Sequence, residues 1–340
     1  MSIIYVDLID ACHMKCPTCV RGTRLLPNSS RRIPMEQFER IVEKAKHEGY
    51  ENVGLYNWTE PFLNARIADY IRVVKSLGLH CEVSTTLSFR GRTALIEESL
   101  RAGLNKLIVS VSGFTQEIHQ INHRGGDLAM VKANLEHISQ LMAQEPIKTQ
   151  ILLRFLRFDH NREQEPLVAD YAQWLGFAFE PLQGVGTADN PVSNYAHQES
   201  FLKRLRDYSP ARLQMHDGEV CPLIMDTVAV DANGMVSLCC ANPNYPALEI
   251  GPYLDLTRDE ILVRRYAHPL CPSCTFPRRD ATTADRKRLL HALSVRLKAP
   301  QETESPEASP EDRSDISTDL GTNGMLDDIK GRLKRWRAFG

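Results

Sequence analysis

Ile3-Ile4-Tyr5-Val6-Asp7-Leu8-Ile9, followed by Cys12-His13-Met14-Lys15-Cys16-Pro17-Thr18-Cys19, is the stretch that decides how this chain is read. The first segment is rich in β-branched and aromatic residues and reads as a short strand. The second is a C-x₃-C-x₂-C triplet on the loop that leaves it, and ligands of α/β folds gather at such strand ends. Three thiolates at this spacing can hold three irons of a [4Fe–4S] cube and leave the fourth iron open. A closed zinc site asks for four ligands, and an electron-transfer cluster asks for four cysteines. A zinc-ribbon fragment, or three unrelated thiols, is the alternative that the triplet alone leaves open.

Outward from the triplet the chain alternates. A helix is expected over Met35–His47, with Pro34 before it and Phe38, Ile41, Val42 and Ala45 at helical spacing. Strands are expected at 52–56, 80–85, 106–110, 150–155 and 177–181, with helices near 65–77, 93–102, 128–142 and 165–175 between them. Six strands alternating with helices specify a parallel sheet of right-handed βαβ units. A closed eightfold barrel takes about 250 residues. The alternation here stops near residue 182, so the expected fold class is α/β, a partial (β/α)6 barrel followed by a small β-hairpin and helix domain.

The expected boundaries are 1–182 for the barrel, 183–219 for a linker with one helix at 197–207, and 220–297 for the small domain. Residues 298–323, crowded with Pro, Glu, Ser and Asp, are expected to be a disordered linker. Residues 324–340 are expected to form a basic amphipathic tail, with Leu326, Ile329, Leu333 and Trp336 on one side. Such a tail can dock onto a partner, a membrane surface or the protein's own body.

The whole composition narrows the field. Hydrophobic and charged fractions of 42% and 25% over 340 residues are those of a globular protein. A net charge of −2 gives no global attraction to nucleic acid, so none is expected as a partner. No apolar run approaches the roughly 18 residues needed to cross a bilayer, and no basic-then-apolar leader opens the chain. Nine cysteines without a leader point to metal or catalytic use in a reducing compartment, and the expected location is cytoplasmic.

A second cysteine group lies at Cys221, Cys239, Cys271 and Cys274. Residues 226–230 and 235–238 read as hairpin strands around Asp231-Ala232-Asn233-Gly234, a strong turn signal. Four thiolates gathered by a hairpin and a C-x₂-C knuckle can close a tetrahedral zinc site or fully ligate a [4Fe–4S] cluster. Cys240 is left beside Cys239 as a substitute ligand, a free thiol able to give a hydrogen atom, or a small buried side chain. Cys81, inside a strand, is expected in the core.

The triplet resembles the signature of the radical S-adenosylmethionine (radical SAM) family. That resemblance implies that the amino and carboxylate groups of S-adenosylmethionine chelate the open iron of the Cys12/Cys16/Cys19 cluster. Family members end the second strand in a Gly-Gly-Glu-Pro-like motif. The matching stretch here is Asn57-Trp58-Thr59-Glu60-Pro61, with neither glycine present. By resemblance Glu60 meets the cofactor's ammonium, with Asn57 and Thr59 beside it. Ser84 and Thr85 fall near the ribose, Ser112 ends the fourth strand, and Arg154 pairs with the methionyl carboxylate. His119 and His123, before Arg124-Gly125-Gly126, resemble a loop common to members with a C-terminal cluster domain. The later cysteines, Cys221 to Cys274, resemble the Twitch module, the shortened SPASM domain, which implies one auxiliary [4Fe–4S] cluster.

The implied activity is reductive cleavage of S-adenosylmethionine, driven by an external one-electron reductant of flavodoxin or ferredoxin type. The resulting 5′-deoxyadenosyl radical takes hydrogen from an unactivated C–H bond. Only eleven residues precede Cys12, so a small substrate such as a sugar or cyclitol is expected rather than a leader peptide. The expected outcome is two-electron oxidation with the auxiliary cluster as electron acceptor. An epimerase with Cys240 as hydrogen donor, a peptide-modifying enzyme, and a non-catalytic iron–sulfur or zinc protein are the alternatives.

Overall fold

The computed structural model describes residues 2–24, 26–184, 218–241, 248–268, 271 and 278–298. The helix expected at 197–207, the linker expected at 298–323 beyond its first residue, the tail at 324–340 and Cys274 lie outside the described residues.

The first half is a βα alternation: β1 (Ile3–Val6), α1 (Met35–His47), β2 (Asn52–Gly54), α2 (Ile67–Ser76), β3 (His80–Thr85) and α3 (Thr93–Arg101). It continues through β4 (Lys106–Val111), α4 (Gln116–Asn122), α5 (Leu128–Gln144), β5 (Gln150–Arg157), α6 (Glu165–Trp174) and β6 (Ala178–Gln183). Strands β1 to β6 are parallel and neighbour one another in chain order. The sheet does not close on itself, so the architecture is the partial α/β barrel that the alternation specifies.

Residue alternation sorts the two faces of this sheet. Ile4 and Val6 of β1, Cys81 and Val83 of β3, Leu107 and Val109 of β4, and Leu153 and Phe155 of β5 are buried in one core. Phe38, Ile41, Val42 and Ala45 of α1 and Ile67, Ile71 and Val74 of α2 pack into the same core, so the helices cover that face. Because strand side chains alternate, Tyr5, Glu82, Ser84, Ser110 and Arg154 fall on the other, inner face. Cys81 sits in the core, fully buried. Helix α4 has no counterpart in the expected elements. It has only seven residues and buries His119 and Asn122, so it carries little apolar periodicity.

The second half adds β7 (Glu219–Val220), α7 (Pro222–Asp226), β8 (Thr227–Val230), β9 (Met235–Ser237) and β10 (Glu249–Pro252). Next come α8 (Arg258–Tyr266), β11 (Arg279–Asp280) and α9 (Thr283–Lys298). The β8–β9 hairpin forms about its expected turn, where Asp231 Oδ1 accepts the Asn233 and Met235 N–H groups at 2.8 and 2.9 Å. Gly234 takes φ +83°, a left-handed conformation that costs glycine little.

This hairpin continues the barrel sheet. β8 runs parallel to β1 with Ile3 opposite Thr227 and Val6 opposite Val230, and β9 and β10 follow antiparallel. The sheet order is β10-β9-β8-β1-β2-β3-β4-β5-β6. Val220, Ile224 and Met225 pack with Leu262 and Val263 of α8 and Leu289 and Ala292 of α9 in a second, smaller core. Glu48, capping the end of α1, accepts from Tyr253 Oη at 2.8 Å and from Arg258 N–H at 2.9 Å, which fastens the start of α8 to the barrel. Among the described residues no helix is long and apolar enough to cross a membrane.

Candidate functional site

The loop after β1 carries Cys12, Cys16 and Cys19, each partly buried as a thiol. Its shape is set from within and from three neighbours. Cys19 N–H donates to Cys16 O at 3.1 Å, closing a turn. Asn28 clasps Cys12 from both sides, accepting from its N–H at 3.0 Å and donating to its carbonyl at 2.7 Å. Thr18 Oγ1 donates to Asn122 Oδ1 of α4 at 2.7 Å, and Lys15 N–H donates to Arg124 O at 2.8 Å. Arg21, itself buried, pairs with Asp10 across the base of the loop. Gly22 lies so close to the Cys16 backbone that a Cβ there would overlap its N, C and O atoms.

Burial first, with the Glu60 carboxylate and Cys19 adding, pushes the Cys12 thiol up to about 12. Burial raises Cys16 too, with Cys19 and Cys12 adding to it. Burial likewise raises Cys19, opposed by the N–H groups of Gly22 and Arg21 and by the Arg21 charge. The three thiols and Glu60 therefore lie within electrostatic reach of one another. Thiols held protonated in this way bind metal with proton release. Among the described residues no three Cys, His, Asp or Glu side chains converge tightly enough to enclose one metal ion. A cube takes one thiolate at each of three different irons, so it asks for more widely spread sulfurs than a single ion does.

The motif expected to replace Gly-Gly-Glu-Pro is tied down by two buried carboxylates. Asp7, one residue past β1, accepts Asn57 N–H at 2.8 Å, Trp58 N–H at 3.3 Å and Thr59 Oγ1 at 2.6 Å. Burial raises Asp7 to about 6 against the pull of those donors and of Arg21. Glu60 is wholly buried and faces the loop after β3. Its Oε1 accepts Thr85 Oγ1 at 2.8 Å and Phe62 N–H at 3.3 Å. Its Oε2 accepts Thr86 N–H at 3.0 Å and Thr86 Oγ1 at 3.1 Å. Four donors fill the lone-pair positions of this carboxylate. Burial raises Glu60 as well, opposed first by the Thr86 N–H. Beside it Leu87 is left-handed at φ +50°, a strained turn secured by Leu87 N–H to Thr85 Oγ1 at 3.1 Å.

The remaining expected residues divide between two places. Ser112 is fully buried behind the site, where its hydroxyl donates to His119 O at 3.1 Å and meets His123 Nδ1 at 2.7 Å. His119 and His123 stack at 4.7 Å, and burial lowers His119 to about 4 and His123 well below its ordinary value. Both imidazoles are therefore neutral, and their helix supports the cysteine loop through Asn122. Arg154 instead faces the inner side of the sheet, with Nε 2.6 Å from Glu180 Oε2. There it joins a polar group in which Tyr56 Oη donates to Glu82 Oε1 at 2.7 Å and Tyr5 packs edge-on to Tyr56 at 5.3 Å. Burial raises Tyr5 to about 12, with Glu82 and Cys240 adding and Arg154 opposing.

The second cysteine group sits towards the opposite end of β1. Thr227, paired with Ile3, donates its hydroxyl to Cys240 Sγ at 3.5 Å. Cys271 Sγ donates to Arg265 O at 3.3 Å. Asp7, Asn28, Tyr5, Tyr56, Glu82 and Arg265 are the functional candidates that sequence reasoning missed. Asp7 alone had a visible signal, as an acidic residue inside an otherwise apolar strand segment.

A bound cluster and S-adenosylmethionine fit the residues present. Beside the triplet, His13 Nδ1 and Trp58 Nε1 are buried without a hydrogen-bond partner, and buried polar atoms of this kind are ordinarily satisfied. An indole N–H can only donate, so it suits an acceptor-bearing ligand.

Residues 6–154 match the family model of the Radical SAM superfamily. Among curated proteins the chain is similar to a GTP 3′,8-cyclase of Syntrophomonas wolfei, 25% identical over 134 residues. That match covers 39% of this chain and 40% of the relative, so the chain spans less than half the length of the curated relative it matches. Among solved structures it resembles Streptococcus suis SuiB bound to the precursor peptide SuiA, with TM-score 0.54 and 12% identity over 79% of this chain and 65% of that one. It also resembles a hexahistidine-tagged anSMEcpe with bound AdoMet, with TM-score 0.51 and 13% identity over 87% and 97%. At such identities these two structures establish the fold alone.

Proposed function

We propose, from the radical SAM family match of residues 6–154, that the protein oxidises a small, polar, hydroxylated substrate by two electrons. Cys12, Cys16 and Cys19 hold a [4Fe–4S] cluster, and Cys221, Cys239, Cys271 and Cys274 hold an auxiliary one. When bound, the first cluster and S-adenosylmethionine supply reductive C–S cleavage and abstraction of a hydrogen atom, with the electron delivered by a flavodoxin- or ferredoxin-type partner. The observation that carries the reading is the polar inner face between the two cysteine groups. Tyr5, Tyr56, Glu82, Arg154 and Glu180 offer donors, acceptors and both signs of charge to a substrate seated there.

The chain's own residues divide the work. Asp7 fixes Asn57 to Thr59, and Glu60 fixes Thr85 and Thr86, so two loops that border the cofactor are rigid before it binds. Trp58 Nε1, buried and without a partner, is the donor available to the cofactor's carboxylate. Oxidising an alcohol to a ketone removes a hydrogen atom from carbon, a proton from oxygen and one further electron. Glu82 or Glu180 would accept the proton, and an auxiliary cluster held by Cys221, Cys239, Cys271 and Cys274 would supply the acceptor for the electron.

A second reading has its own support. Cys240 lies near enough to Tyr5 to influence its ionisation. A thiol bordering the substrate can return a hydrogen atom to the opposite face, which makes the reaction an epimerisation.

Anaerobic reconstitution of the full chain, an iron count and a dithionite-driven cleavage assay test the proposal. The expected result is about eight irons, four per cube, with 5′-deoxyadenosine formed as S-adenosylmethionine is lost. Stoichiometric metal with no cleavage overturns it in favour of an electron carrier or binding protein. Cys240→Ala separates the two outcomes: loss of an inverted product with cleavage intact favours epimerisation.

A further inference from the structure

Arg265 of α8 is completely buried, with 0% of its surface exposed. A guanidinium in that setting is normally paired with a carboxylate, because burying a lone charge is costly. Among the described residues none pairs with it. Its donors go to backbone carbonyls: Nε to Leu238 O at 2.5 Å, Nη1 to Thr227 O at 2.5 Å and Ile224 O at 3.4 Å, and Nη2 to Leu223 O at 3.0 Å. These acceptors satisfy the N–H groups and leave the positive charge uncompensated. Leu223, Ile224 and Thr227 lie in or just past α7, whose C-terminal dipole supplies at most about half a unit of opposite charge.

The carbonyls that Arg265 gathers lie on the segments that carry or touch the later cysteines. Leu223 is two residues past Cys221, and Leu238 immediately precedes Cys239. Thr227, whose carbonyl binds the guanidinium, sends its hydroxyl to Cys240 at 3.5 Å. Cys271 donates its thiol hydrogen to the carbonyl of Arg265 itself at 3.3 Å. One residue therefore touches three cysteine-bearing segments, two through its guanidinium and the third through its own carbonyl, and carries a positive charge among them.

We propose that Arg265 is the positioning residue and counter-charge of a metal–thiolate centre at Cys221, Cys239 and Cys271. Thiolates gathered on an iron–sulfur cluster give the centre a net negative charge, which is what the buried guanidinium lacks. The carbonyl bonds hold the cysteine segments in register before metal arrives. This deepens the auxiliary-cluster reading above and rests on it.

The test uses the full chain with Cys12, Cys16 and Cys19 replaced by Ala, so that metal bound by cysteine reports the second group alone. Parent, Arg265→Met and Arg265→Lys forms are reconstituted with iron and sulfide, then compared by iron content, reduction potential and melting temperature with and without metal. Arg265→Met is expected to lose more than half of the bound iron, to shift the potential of the remainder negative, and to gain less melting temperature on loading than the parent. Arg265→Lys, which keeps the charge and three donors, is expected to recover the potential and part of the iron content. Equal iron, potential and loading-dependent stabilisation in all three forms overturns the role of Arg265. A parent form that takes up no metal in this background overturns the inference through its premise, a failure distinguished by its appearance before any change at Arg265.

Discussion

The two cysteine groups are assembled in opposite ways. The triplet after β1 is held by many modest contacts from different segments: Asn28 on Cys12, Asn122 on Thr18, Arg124 on Lys15, Asp10 on Arg21. In the later group one buried guanidinium joins the segments that carry Cys221 and Cys239, and it binds only carbonyls. A loop secured by many weak bonds loses shape by degrees, whereas an arrangement centred on one charge depends on that charge and on what balances it. Under the function proposed above, the first design serves a site with a position left for a cofactor and the second a closed one.

The contrast can be broken most sharply by removing the first group's ligands. Cys12→Ala/Cys16→Ala/Cys19→Ala should reduce S-adenosylmethionine cleavage to background while the chain keeps about half its iron, one cube of two; loss of all iron would show that the groups are not independent. A single methyl group should nearly match this. Gly22→Ala forces a Cβ into the Cys16 backbone, which should cost about 3 kcal/mol of stability and empty the first group in preference to the second. Denaturant unfolding and iron content measure the two effects.

Acid should separate the regions next. His119 is lowered to about 4 by burial, so it is neutral in the folded chain and takes up a proton more readily when unfolded. Its contribution is present above the ordinary histidine value near 6.5 and is lost as pH falls towards 4. Protonation also turns Nδ1 from the acceptor of Ser112 N–H into a donor facing it. Between pH 7 and 5 the parent should lose roughly 2 kcal/mol more than His119→Gln. Asp7, raised to about 6, works the other way over part of this range, so the comparison with the variant is the decisive measurement. The smallest effect expected is Asn28→Ala, about 1–2 kcal/mol for the two bonds to Cys12, with slower first-group reconstitution and an unchanged second group.

Much of the barrel was legible in residue order alone. Helix α1 forms over Met35–His47, its full expected span, because Phe38, Ile41, Val42 and Ala45 carry the helical period without interruption. The six strands stand where short β-branched runs recur between helices, and their ends shift by a few residues at most. Periodicity could not reveal α4, whose buried face is His119 and Asn122. Nor could it show that Thr227–Val230 lies beside Ile3–Val6, since a four-residue strand says nothing about its partner.

The site was readable in its residues more than in their use. Cys12, Cys16 and Cys19 share one loop, as their spacing requires, and Glu60 lies within electrostatic reach of Cys12. That the Glu60 oxygens are taken by Thr85, Thr86 and Phe62 depends on how the β2 and β3 loops meet. Arg264 and Arg265 are adjacent identical letters near a helix end, and only the second is engulfed. Which of two such neighbours faces inward is decided by what packs against the helix.

The parallel seam between β1 and β8 joins residues more than two hundred positions apart. Contacts of such long range form late and slow the search for the native state. Until β8 arrives, the outer flank of β1 presents bare amide and carbonyl groups to any passing strand. Shortened versions of the protein that stop after the barrel helices should therefore stick to one another during expression, and rescue by supplying the missing half in trans would show that this flank was the cause.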